Sequence, residues 1–147
     1  MSALIVVIMD SEPLASAVAR TLAAATGEDI DIIRMTYSDS RMSRELLLRT
    51  DLFVLDLFRR DALGLRAEGI YAAEKFASAS RRCLLIAGRA VSSRLHCPFY
   101  WDIAAPDHLP DRVLRLLRQE APLPEAFASL RENFAYYCRP AYDGHHK

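Results

Sequence analysis

The chain has no net charge to spend on a polyanion. Its 19 basic and 19 acidic residues cancel formally, so no global field recruits nucleic acid or anionic lipid. Glycine is scarce, with five residues in 147 and no P-loop or GxGxxG pattern, so a conventional nucleotide site lacks its backbone cradle. Cysteine is limited to Cys83, Cys97 and Cys138. The number is odd and there is neither a CxxC pair nor zinc-ligand spacing, so the thiols read as reduced, in a cytoplasmic protein. Long apolar runs are missing too. "ALIVVIM" (3–9) is too short to span a membrane, lacks a basic flank and runs directly into Asp10, so it reads as a buried strand and not as a signal peptide.

What is present is an alternation of two periods. "LIVVIM" (4–9), "IDIIRM" (30–35), "LFVL" (52–55), "CLLIA" (83–87) and "FYWDI" (99–103) are strand-like apolar runs. Between them lie helical patterns. Leu14, Val18 and Leu22 recur at four-residue spacing behind Ser11, a good N-cap, and Ser40 is placed to cap a helix carrying Leu46 and Leu47. Ile70, Ala73, Phe76 and Ala77 make one face of a third helix, and Val113, Leu116 and Leu117 mark another that starts near Pro110. Residues 88–98 carry few periodic apolar positions, so the helix expected there is stunted or missing.

Strands apolar on both faces, alternating with helices, require a parallel sheet covered on both sides. Sites in such sheets form at the carboxyl ends of the strands. Asp10 and Asp56 each follow an apolar run, so the topology brings them towards each other at that edge.

Several residues resemble the receiver domain of bacterial response regulators over positions 3 to 119. "VIMDSEP" (7–13) matches the family's Asp-Asp-Glu-Pro segment at Asp10, Glu12 and Pro13, with Ser11 in place of the second Asp. "DLFVLD" (51–56) puts Asp56 at the phosphoacceptor position, and Glu68-Gly69 matches the pair that opens the third helix. The intervening "LFRRDALGLRA" is longer than in the family and rich in arginine. Ala87 stands where the family has a Thr or Ser hydroxyl. Ala105, before the matching Pro106, stands where it has a lysine.

The resemblance implies a flavodoxin-like, doubly wound, five-stranded parallel sheet of order 2-1-3-4-5. To this the chain adds a shortened fourth helix and an extra C-terminal helix. It also implies phosphoryl chemistry at Asp56 supported by Mg²⁺ and a cation. Only Lys75 and Lys147 are lysines, and neither follows the fifth strand, so no shift of alignment restores the missing cation. Asp10 and Asp56 could hold Mg²⁺ only weakly, and Arg59 or Arg60 is the remaining candidate for charge over the pocket.

Asp56 is accordingly a vestigial acceptor that caps local N–H groups, a working acceptor in a degenerate pocket, or part of a remodelled ligand site. The pairs Arg59-Arg60 and Arg81-Arg82 read first as solvated arginines and, as the alternative, as a site for a phosphorylated small molecule. His96-Cys97 and His145-His146 are isolated pairs, so no metal site and no catalytic triad is expected.

Residues 1–119 thus read as a receiver-like domain and 120–147 as a helical extension. In the extension, Phe127, Leu130, Phe134 and Tyr137 form an amphipathic stripe. The stripe either packs back where the fourth helix is weak or, with Trp101, offers an interface to a second copy. The reading is a non-enzymatic pseudo-receiver without cofactor. Its partner is a signalling protein or a second copy of itself, and neither nucleic acid nor membrane is expected.

Overall fold

The computed structural model describes residues 3–25, 29–38, 42–61, 64–87, 100–102 and 108–132. The elements, in order, are β1 (Ala3–Ile8), α1 (Glu12–Ala25), β2 (Ile30–Met35), α2 (Arg44–Arg49), β3 (Leu52–Asp56), β4 (Arg59–Asp61), β5 (Gly64–Arg66), α3 (Glu68–Ser78), β6 (Cys83–Ala87), β7 (Tyr100–Asp102), α4 (Leu109–Arg118) and α5 (Glu125–Glu132). The α/β alternation read from the sequence is therefore present, and every pairing in the main sheet is parallel. Its order is β2-β1-β3-β6-β7.

The central strands β1, β3 and β6 are almost wholly apolar because both of their faces are covered. Val6, Ile8, Phe53, Leu55, Cys83, Leu85 and Ala87 point into a core shared with α3 and α5, and Leu46 and Leu47 of α2 pack against its margin. Ile5, Val7, Leu52, Val54, Leu84 and Ile86 point the other way, towards α1 and α4. This strict alternation is the two-residue period of a strand, used on both sides at once. On the α3 side, Phe53 and Phe76 stack with ring centroids 4.0 Å apart. Ile70, Ala73, Phe76 and Ala77 form the buried face of α3 that their spacing predicts.

The structure departs from the sequence reading, or sharpens it, at three places. The arginine-rich stretch after β3, which shows no strand pattern in the sequence, folds into an antiparallel hairpin, β4–β5, pairing Arg59 with Arg66 and Asp61 with Gly64. The N-cap of α2 is Ser43, whose hydroxyl accepts from the Leu46 N–H at 3.0 Å, while Ser40 lies outside the described residues. The described half of the C-terminal stripe is buried, which settles an alternative that the sequence left open. Phe127 is 0% and Leu130 5% exposed, and both belong to the core cluster that contains Phe53, Phe76 and Leu85. With α5 packed beside α3, these two residues follow the first of the two alternatives, packing back on the core, and do not form an exposed interface. Arg131 fastens the joint, with Nε 2.6 Å from Glu74 Oε1 and its guanidinium 5.7 Å from the Tyr71 ring centroid. Phe134 and Tyr137 lie outside the described residues. Trp101 sits on β7 opposite Ile86.

Candidate functional site

The carboxyl ends of β1 and β3 lie side by side because the two strands pair in register, Ile8 opposite Leu55. Asp10 follows β1 and Asp56 closes β3. The two have different surroundings. Asp56 is 8% exposed, and its Oδ1 accepts from the Phe58 N–H at 3.0 Å. Burial pushes its carboxyl up to about 6; the Phe58 N–H opposes this and the charge of Asp10 adds to it. Asp10 is more open, with its side chain 30% exposed. Its Oδ1 accepts from the Tyr37 N–H at 2.8 Å, and its Oδ2 lies 3.2 Å from Arg59 Nε.

Arg59 opens β4 three residues after Asp56, and its side chain reaches Asp10. The guanidinium is shared: Nη2 donates to Ser38 Oγ at 2.8 Å, and the group lies 5.8 Å from the Tyr37 ring centroid. Nε is buried and finds no acceptor in hydrogen-bond geometry, so its contact with Asp10 is one of charge. Tyr37 completes the ring of contacts by donating its hydroxyl to the Asp56 carbonyl oxygen at 2.5 Å. Burial, followed by the charges of Asp56 and Asp10, holds the Tyr37 phenol well above its ordinary range.

The remaining sequence-derived residues fall elsewhere. Ser11 starts α1, accepting from the Leu14 N–H at 3.3 Å, and Glu12 pairs with Arg34 at 3.1 Å, towards β2. Of the expected acidic pocket Asp10, Ser11 and Glu12, only Asp10 therefore joins Asp56. Ala87 is fully buried at the end of β6, facing the α3 side. Ala105 and Pro106 lie outside the described residues, as do His96, Cys97, His145 and His146. Arg60 is on β4 opposite Leu65. Arg81 and Arg82 sit at the opposite, amino end of β6 and are structural. Arg81 donates to the Leu48 carbonyl at 3.1 Å and Arg82 to the Gln119 carbonyl at 2.5 Å. Both serve carbonyls near helix C-termini.

Tyr37 and Ser38 were not singled out from the sequence. Their only signal is positional: they follow β2, whose carboxyl end neighbours that of β1.

Gly69 brings α3 close to this edge. A Cβ there would overlap the Asp56 carbonyl oxygen and stand 2.8 Å from the Leu57 Cα, while the Gly69 N–H bonds to the Leu57 carbonyl at 3.2 Å. Gly69→Ala is therefore expected to cost about 1–3 kcal/mol by overpacking against backbone that cannot rotate away. Urea unfolding measures it, and a loss below about 0.5 kcal/mol would contradict the close approach.

The receiver resemblance implies a divalent cation between Asp10 and Asp56. The arrangement does not fit one. Mg²⁺ needs carboxylate lone pairs directed at a near-octahedral centre. Both Asp10 oxygens and one Asp56 oxygen are already engaged, and a guanidinium stands beside them. Among the described residues no group of three His, Cys, Asp or Glu could hold a metal. Nor is any helix there long and apolar enough to cross a membrane.

No protein-family model and no curated protein matches the chain. Among solved structures it is similar to the response regulator ChrA of a heme-sensing two-component system, at TM-score 0.57 and 16% identity, covering 91% of this chain and 66% of that one. The chain thus spans about two thirds of that regulator's length. It also matches a short-chain flavodoxin associated with a PDU bacterial microcompartment, at TM-score 0.38 and 13% identity, over 96% of this chain and 98% of that one. At this identity the first likeness establishes a shared α/β fold, and the second is too loose to argue from.

Proposed function

We propose that the chain is a pseudo-receiver, a phosphorylation-independent protein-interaction module of bacterial signal transduction. Residues 1–119 form the receiver-like unit with its five strands in the order 2-1-3-4-5, and 120–147 the helical extension. Its partner is a signalling protein, or a second copy of this chain, in the cytoplasm. The observation that carries this reading is the state of Asp56. It closes β3, where the resemblance puts the acceptor, but the residue is 8% exposed and its Oδ1 accepts from the Phe58 N–H. The nearby guanidinium of Arg59 lies against Asp10.

Transfer of a phosphoryl group to a carboxylate depends on charge neutralisation at the acceptor and on in-line access. Burial opposes both here. The positions that would report a phosphate also argue against it, since Ala87 has no hydroxyl to turn towards it. Lys75, one of the chain's two lysines, is on α3. Two described clefts flank the site. One, of about 210 Å³, is lined by residues including Tyr37, Tyr71, Lys75 and Phe76, and the other, of about 420 Å³, by Met9, Glu12, Ile33 and Arg34 among others.

Incubation with acetyl phosphate and Mg²⁺, followed by intact mass, is expected to give no adduct. A gain of one phosphoryl group that disappears in Asp56→Asn would establish the phosphoacceptor reading instead.

A further inference from the structure

We infer that Arg59 is the resident cation of the Asp10–Asp56 pocket, and that by filling it Arg59 keeps hairpin β4–β5 docked without a metal. This rests on the pseudo-receiver reading and adds what replaces the metal. Three observations carry it. The Arg59 side chain is only 21% exposed, although arginine ordinarily keeps its charged head in water. It is held from two directions, by Asp10 after β1 at 3.2 Å and by Ser38 after β2 at 2.8 Å. Its buried Nε makes no hydrogen bond, so electrostatic attraction to the carboxylate, rather than donor geometry, accounts for its place.

The chemistry is that of substitution. Asp10 and Asp56 stand at neighbouring strand ends, and carboxylates so placed favour a positive charge beside them. A guanidinium supplied three residues after Asp56 meets that need from within the chain, and in doing so takes the oxygen that a hard cation would use. The ladder between Arg59 and Arg66 joins both strands of the hairpin to that contact. The hairpin should therefore stay in one position whether or not divalent cations are present.

The test uses the full chain without any phosphodonor. Wild-type protein is expected to leave the Mn²⁺ electron paramagnetic resonance signal unchanged at about 1 mM metal. Its melting temperature should move by less than about 1 °C in about 10 mM MgCl₂. Arg59→Met frees the pocket and should bind Mn²⁺ with a dissociation constant of about 0.1–1 mM, its melting temperature rising by about 3–6 °C in the same MgCl₂. Adding Asp10→Asn to it should abolish both responses.

Metal binding by the wild type equal to that of Arg59→Met would overturn the proposal. So would a folded Arg59→Met that gains none. A second measurement does not depend on the folding of that variant. Asp10→Asn alone removes the charge that holds Arg59, so the amides of β4 and β5 should exchange at least about tenfold faster; unchanged exchange would also overturn it. A phosphoryl adduct on the wild type would sink the pseudo-receiver reading and leave these results standing, so the two can fail separately.

Discussion

Replacing Phe127 by alanine is expected to remove about 3–5 kcal/mol of stability, the usual cost of deleting a fully buried aromatic ring and leaving a cavity. That is a third or more of what a domain of this size commonly has. The size follows from where the ring sits. Phe127 is 0% exposed and shares a cluster with Phe53 and Phe76, whose rings stack at 4.0 Å, and with Cys83, Leu85 and Ala87 of β6. Without α5 one flank of β3 and β6 beside α3 would lie open to water.

Urea unfolding at two protein concentrations checks the expectation. If Phe127 belongs to the core, the midpoint falls with an unchanged slope and no dependence on concentration. If it belonged to a contact between copies, the variant would unfold like wild type at low concentration and differ only where copies associate. Leu123→Ala, at a site 72% exposed on the approach to α5, is the control and should change stability by no more than about 0.5 kcal/mol. By the same reasoning, deletion of 120–147 strips the core and does not release a clean monomer.

The strands and the site were legible to different degrees because different physics places them. β1, β3 and β6 are fully covered, and full cover leaves an unbroken apolar run, as in "LIVVI" and "CLLIA". α3 was legible because a helix buried on one side repeats its apolar residues at its own period. The hairpin has neither mark. Its strands are three residues each, "RRD" and "GLR", too short and too charged to show any alternation. The meeting of Arg59 with Asp10 joins positions 49 apart, and no local pattern encodes a contact of that range.

The helix α5 shows a third kind of limit. Its stripe was visible, but amphipathicity states only that a face is to be covered, and the surface that covers it depends on which flank of the sheet is left open. The cap of α2 failed on a near tie, since Ser40 and Ser43 are one turn apart and equally suited by chemistry. Asp56 was located by the resemblance, whereas its burial came from the elements around it. Gly69 lets α3 approach the Asp56 carbonyl, Tyr37 covers the same carbonyl, and Leu57 and Phe58 beyond it are both buried.

That burial carries the second large expectation. Asp56→Asn should stabilise the protein at pH 7.5 and do so clearly less at pH 4.5, although the residue falls at the position that resembles a receiver's acceptor. The folded carboxyl is raised from 3.8 to about 6, chiefly by burial, so the folded state holds this proton more tightly than the unfolded chain. The stabilising contribution of that proton is fully present below about 3.8 and is lost as the pH rises through about 6. Above that, the fold carries a buried negative charge at a cost whose upper bound is about 3 kcal/mol.

Asparagine carries no charge at any of these pH values and can still accept from the Phe58 N–H, so it should recover about 1–2 kcal/mol at pH 7.5, the partial access of water accounting for the remainder. Because Asp10, Arg59 and the Glu74–Arg131 pair are common to both proteins, the difference between wild type and Asp56→Asn across pH 4 to 8 isolates this one group. A difference that is flat with pH, or that grows on acidification, would mean that Asp56 is solvated and open. The sealed acceptor on which the pseudo-receiver reading stands would then be lost.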